Sequence, residues 1–123
     1  MGIKYKILKI IGSLTIILVI GTVLDYFVHS LSPHFDVPGY YFRNKIIFGI
    51  LYGLIALWLF KRVTNLNLKA VLFSLFISII LQTRYLIEGY DLGFVFLFMG
   101  VHFVVFLIPA LIVFNLFPRL FRQ

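Results

Sequence analysis

The chain has no cysteine, which excludes disulfides, thiolate metal sites, iron–sulfur clusters and thiol catalysis. Acidic side chains are almost as scarce: four Asp and Glu stand against eleven Lys and Arg, a formal net charge of +7 over 123 residues. Charged residues make up 12% of the chain, about half the share in an average soluble domain and too few to cover a water-facing surface. Several catalytic signatures are missing as well: no G-x-S-x-G elbow, Walker loop, H-E-x-x-H or glycine-rich phosphate cradle. Ser30, Ser32, His29 and Asp25 are neighbours, but they follow one another along one helix without an oxyanion hole, a poor basis for hydrolysis. There is no internal repeat and no low-complexity tract.

What the chain has is apolar surface: 63% hydrophobic residues, fifteen Phe and seven Tyr, with a mean hydropathy of +1.11. This composition points to lipid as the solvent, and the length accommodates four spans of about 20 residues with short loops. The spans are expected at residues 5–32, 43–62, 68–88 and 94–117, in one transmembrane domain covering 1–123. Pro33, Pro38, Asp36 and Gly39 mark the first loop. Asn65 and Asn67 are candidate caps for the third helix, and Gly89 to Gly93 compose a turn. Pro109 is placed to kink the last span. The start resembles a signal peptide, but its apolar run is long and lacks a small-x-small site, so an uncleaved first helix is expected. Lys6 replaces the Ser/Thr of a myristoylation signal.

Basic residues sit at the ends of the apolar runs rather than in the polar, aromatic patch that nucleic acid requires, so nucleic acid is not an expected partner. With four spans, eight Lys and Arg fall beside the termini and the middle loop, against Arg43, Lys45 and Arg84 on the other side. The positive-inside rule then gives N-in, C-in. The expected fold is an all-α integral membrane antiparallel four-helix bundle, multi-pass in a prokaryotic plasma membrane.

Ionisable groups inside the spans gather toward the outer end. Asp25 should lie roughly 10 Å below it, Arg84 about 6 Å and His102 about 12 Å. Such groups face the bundle interior and find partners. Asp25 and His29 share a helical face with Thr22 and Ser32; carboxylate and imidazole at this spacing can chelate one ion. Asp25, His29 and His102 are therefore the candidate ligands of a divalent transition metal, with His34, Arg84 and Glu88 as further ligands or supporting groups. A competing expectation pairs Asp25 with Arg84 across the bundle, or Arg84 with Glu88 along its own helix. His29 with His102 could also ligate haem, for which Gly100 is the only small neighbour.

Gly49 and Gly53 form a GxxxG on the second span, a close-packing face for a helix of this chain or of a neighbour. Ser74, Ser78 and Gln82 make a weakly polar packing stripe on the third. Asp25 and His29, as Asp-x3-His, resemble the helical copper ligands of membrane methane and ammonia monooxygenases, in chemistry alone. The loop from Ser32 to Gly39, leading into Phe42 and Arg43, resembles that of the Insig family of sterol-responsive membrane proteins. Four spans are too few for that fold, so no sterol function is carried over.

Two functions follow from different classes. One is a non-enzymatic accessory subunit that packs on other membrane subunits or on itself through its GxxxG and aromatic faces, with its inner charges fully paired. The other is a metal-dependent or proton-coupled site acting on or binding a small or lipid-like ligand.

Overall fold

The computed structural model describes residues 2–122; Met1 and Gln123, the two ends of the expected 1–123 domain, lie outside the described residues. Five α-helices follow in order: α1 Ile3–His29, α2 Tyr40–Leu59, α3 Leu66–Ile87, α4 Leu92–Leu116 and the short α5 Pro118–Phe121. The first four are long and apolar enough to cross a membrane. A single 3-10 turn, Pro33–Phe35, interrupts the first loop.

The boundaries differ from the expected spans for local reasons. Helix α1 stops at His29 rather than Ser32, because Ser30 Oγ bonds back to the Tyr26 carbonyl (2.8 Å) and Ser32 leaves the helix to cap the 3-10 turn through the His34 amide. Helix α2 starts at Tyr40, three residues before Arg43, as soon as Pro38 and Gly39 have supplied acceptors for the first free amides. Asn65 and Asp91 cap α3 and α4 with their side-chain oxygens, 3.1 and 3.3 Å from the amides of Leu68 and Phe94. Gly89, at φ +83°, closes α3. Its amide returns to Leu86 and that of Tyr90 to Tyr85, a paired closure that needs a left-handed residue at position 89.

The long helices form a ring in which α1 packs on α2, α2 on α3, α3 on α4 and α4 on α1. Their facing stripes recur at spacings of three and four residues. Helix α1 contributes Leu14, Leu18, Thr22, Asp25 and His29, and α2 contributes Tyr41, Lys45, Gly49 and Gly53. Gly49 and Gly53 face inside the chain: a Cβ at Gly49 would meet Leu18 at 2.7 Å, and one at Gly53 would meet Leu14 and Phe73 at 3.2–3.3 Å. Gly21 does the same for α4, lying against the Phe106 ring and the Val105 carbonyl. That carbonyl is the one left without its helical donor by Pro109, through which α4 continues. The outward faces carry large apolar side chains on all four helices, among them Ile16, Phe27, Leu51, Ile79 and Phe96.

Charge divides the bundle lengthwise. All four acids (Asp25, Asp36, Glu88 and Asp91) lie toward the end that holds the first loop and the α3–α4 turn. The opposite end, with both termini and the α2–α3 turn, carries most of the bases.

Candidate metal centre

Two helices bring three ligand atoms together inside the loop end. Asp25 and His29 come from the last turns of α1, one above the other, and His102 comes from the third turn of α4. All three are buried, at 0%, 3% and 0% exposure. His102 Nε2 lies 3.3 Å and His29 Nε2 3.5 Å from the same oxygen, Asp25 Oδ1. The three ligand atoms lie within 4.8 Å of one another. None of them makes a hydrogen bond.

Their surroundings fix what these atoms carry. His29 Nδ1 faces the backbone carbonyl of Phe35, which only accepts, so Nδ1 holds the hydrogen. Gln82 donates its amide nitrogen to the Val95 carbonyl at 2.5 Å, which turns its oxygen toward His102 Nδ1, also at 2.5 Å. His102 Nδ1 must therefore donate as well. An imidazole with its one hydrogen on Nδ1 has its lone pair on Nε2, and both Nε2 atoms here point at a carboxylate oxygen. Three acceptors thus converge with no donor among them, an arrangement that repels unless a cation or a proton occupies the middle. A proton would draw N and O to about 2.7–2.9 Å. The two spacings to Asp25 Oδ1 are longer than that and close to the edge of a tetrahedron with bonds of about 2.0–2.1 Å, which is roughly 3.3–3.4 Å. Neutral imidazoles whose other nitrogen donates to an oxygen are also the usual state of metal-bound histidine.

The second oxygen of Asp25 accepts from Lys45 Nζ, buried on α2, and this pair balances its charge inside the bundle. Asp25 therefore does not pair with Arg84, the partner expected across the bundle. Arg84 instead bonds Glu88 at 3.1 Å on its own helix, at 39% and 34% exposure, and stacks over the Tyr41 ring at 4.4 Å. Tyr41 donates to the other Glu88 oxygen. Arg84 and Glu88 form a separate layer nearer the loop end with Tyr41 and Tyr90, where burial first and then the Glu88 carboxylate push the Tyr90 phenol up. His34 is exposed in the 3-10 turn and stands apart from the cluster. Of the expected supporting residues, then, none touches the three ligands; that position belongs to Lys45, Gln82 and the Phe35 carbonyl.

Aromatic rings enclose the centre. Phe98 stacks on the His29 ring at 4.1 Å, Phe42 meets it edge-on at 5.5 Å, and Tyr85 and Phe106 flank His102 at 5.9 and 6.2 Å. Haem does not fit: Asp25 Oδ1 stands between the two Nε2 atoms, and Gly100 is exposed, with nothing near the position of its missing side chain. Between α2 and α3 a narrow cavity of about 50 Å³ reaches Lys45 and Tyr85 from the side of the bundle. It has room for a few waters, each needing about 10–15 Å³.

Comparison with protein-family models, curated proteins and solved structures finds no match for this chain.

Proposed function

We propose that this chain is a multi-pass membrane protein, both termini cytoplasmic, that binds one divalent transition-metal ion through Asp25 Oδ1, His29 Nε2 and His102 Nε2. The observation that carries this is the convergence of three buried, unpaired acceptor atoms whose tautomers are set by Phe35 and Gln82. Two imidazoles and a carboxylate suit zinc or copper(II), and three protein ligands leave one coordination position open. With Asp25 balanced by Lys45, a divalent ion brings two uncompensated positive charges into an apolar interior. The open position therefore favours an anion such as hydroxide. An ion so placed lowers the pKa of bound water and polarises a bound oxygen.

Orientation rests on the basic residues that stay at the ends. Without buried Lys45 and Lys69, seven Lys and Arg flank the termini and middle loop, against Arg43 and Arg84 at the other end. An accessory subunit docking through its GxxxG has less support, because Gly49 and Gly53 are already occupied by Leu18, Leu14 and Phe73 of the same chain. That reading also expects a fully paired inner cluster.

Elemental analysis of detergent-purified protein loaded with zinc or copper(II) tests the site. One ion per chain is expected in the wild type, and less than a tenth of that in His29→Gln and His102→Gln, which keep the volume of the side chains. A wild type that stays metal-free after loading overturns the metal reading and leaves a proton-sharing network. Topology has its own assay, since the chain lacks cysteine: a cysteine at Asp36 should react with a membrane-impermeant maleimide on intact cells, and one at Lys4 should not.

A further inference from the structure

At the opposite end of the bundle, Lys69 is 2% exposed, and among the described residues its ammonium has one partner, the backbone carbonyl of Phe121 in α5. An ammonium has three donors, and no carboxylate side chain lies at this end of the chain. Lys69, with two further N–H groups to place, lines a groove of about 390 Å³ together with Lys6 and Lys61. The groove continues between α1 and α2 over Ile7, Ile10, Leu54 and Trp58. Lys61 sits above the Trp58 ring at 5.5 Å, which holds it at the groove mouth. Lys69 is also in the first turn of α3, where the helix dipole adds to the attraction for an anion. Three ammonium groups at one end of an apolar channel match a ligand with a phosphate head and a hydrocarbon tail.

We infer that this groove holds an anionic phospholipid, with its phosphate against Lys69, Lys61 and Lys6 and one acyl chain along the apolar walls. The inference rests on the membrane reading above but is independent of the metal. Free phosphate would satisfy the ammonium groups but leave Ile7, Ile10, Leu54 and Trp58 uncovered; the lipid meets both needs.

The test is native mass spectrometry of the delipidated full-length protein, offered phosphatidylglycerol or phosphatidylcholine with identical acyl chains. Phosphatidylglycerol should be retained one-to-one and phosphatidylcholine should not. Lys61→Gln and Lys6→Gln should each lower retention about fivefold, the effect of one basic residue at a membrane surface. Lys69→Gln, which keeps a donor for Phe121, should lower it at least as much, while Lys4→Gln, outside the groove lining, should leave it unchanged. Should Lys69→Gln fail to fold, the two exposed-end lysines decide the matter. Equal retention of the two lipids, retention unaffected in a Lys6→Gln/Lys61→Gln double variant, or displacement of phosphatidylglycerol by millimolar inorganic phosphate would each overturn the inference. Extraction of the protein from membranes by alkaline carbonate would instead defeat the membrane reading beneath it.

Discussion

Replacing Lys45 by Met tests how the centre is charged. Lys45 and Asp25 are 5% and 0% exposed at their side chains, and each is the other's only full counter-charge. Removing the ammonium leaves a carboxylate facing two imidazole lone pairs in an aromatic box, a loss of about 3–5 kcal/mol for a broken buried pair. The double variant Asp25→Asn/Lys45→Met removes both charges and should recover most of that loss. Bound metal changes the balance, because the ion itself becomes a counter-charge to Asp25. Saturating zinc, at about a thousand times its dissociation constant, adds about 4 kcal/mol to the stability of any form that binds it. The gain should be larger in Lys45→Met, where a competing cation has been removed. The assay is an SDS titration in mixed micelles, with and without zinc, followed by circular dichroism and by the fluorescence of Trp58, the single tryptophan. A penalty below about 1 kcal/mol would place the pair in the weak class of solvated ion pairs and refute the reasoning. So would a penalty that zinc does not reduce.

The glycines give a matched contrast. Gly49→Val must push Leu18 from a position 2.7 Å from the new Cβ and should lose about 1–3 kcal/mol in the same titration, whereas Gly12→Ala, with nothing nearby, should gain about 0.5–1 kcal/mol. Gln82→Leu removes the acceptor that holds His102 in its metal-binding tautomer and should weaken zinc binding about 10- to 100-fold by isothermal titration calorimetry. His34→Ala, exposed and distant, should leave zinc affinity unchanged; a comparable loss there would bring the first loop into the site. If the open coordination position takes an anion, azide should shift the visible absorption of the cobalt(II)-loaded protein, and no shift at saturating azide would mean that the position is closed.

The four long helices were legible because each is a predominantly apolar run between Gly, Pro or Asn signals, and hydropathy reports this without knowledge of packing. Asp25, His29 and His102 were legible for a related reason. An ionisable group deep in such a run has no alternative to the interior, so three of them in the same half of a narrow bundle must come close together. The caps at Asn65 and Asp91 and the turn at Gly89 are local chemistry, read from a few residues. The Phe35 carbonyl is different: backbone that folds back over a helix end leaves no mark in residue identity, and the tautomer of His29 depends on it.

Lys45 shows where the reading of charge fell short. Next to Arg43 and near an expected span start, it passes for an interfacial base and strengthens the count used for topology. Helix α2 begins at Tyr40, so Lys45 already lies more than a turn inside it. Yet a signal was present. Lys45, Gly49 and Gly53 are spaced by four, and the small residues that mark a close-packing face place Lys45 on that face too. The same argument applies on α3, where Gln82 continues the stripe of Ser74 and Ser78 and ends up orienting a candidate ligand rather than joining helices alone. Arg84 is two residues further round, on the half-exposed side, where it meets Glu88. In a bundle this small, the choice between Lys45 and Arg84 as partner of Asp25 is a choice of helix rotation. It is settled by which face of each helix carries the small residues, not by which base is stronger or nearer in depth.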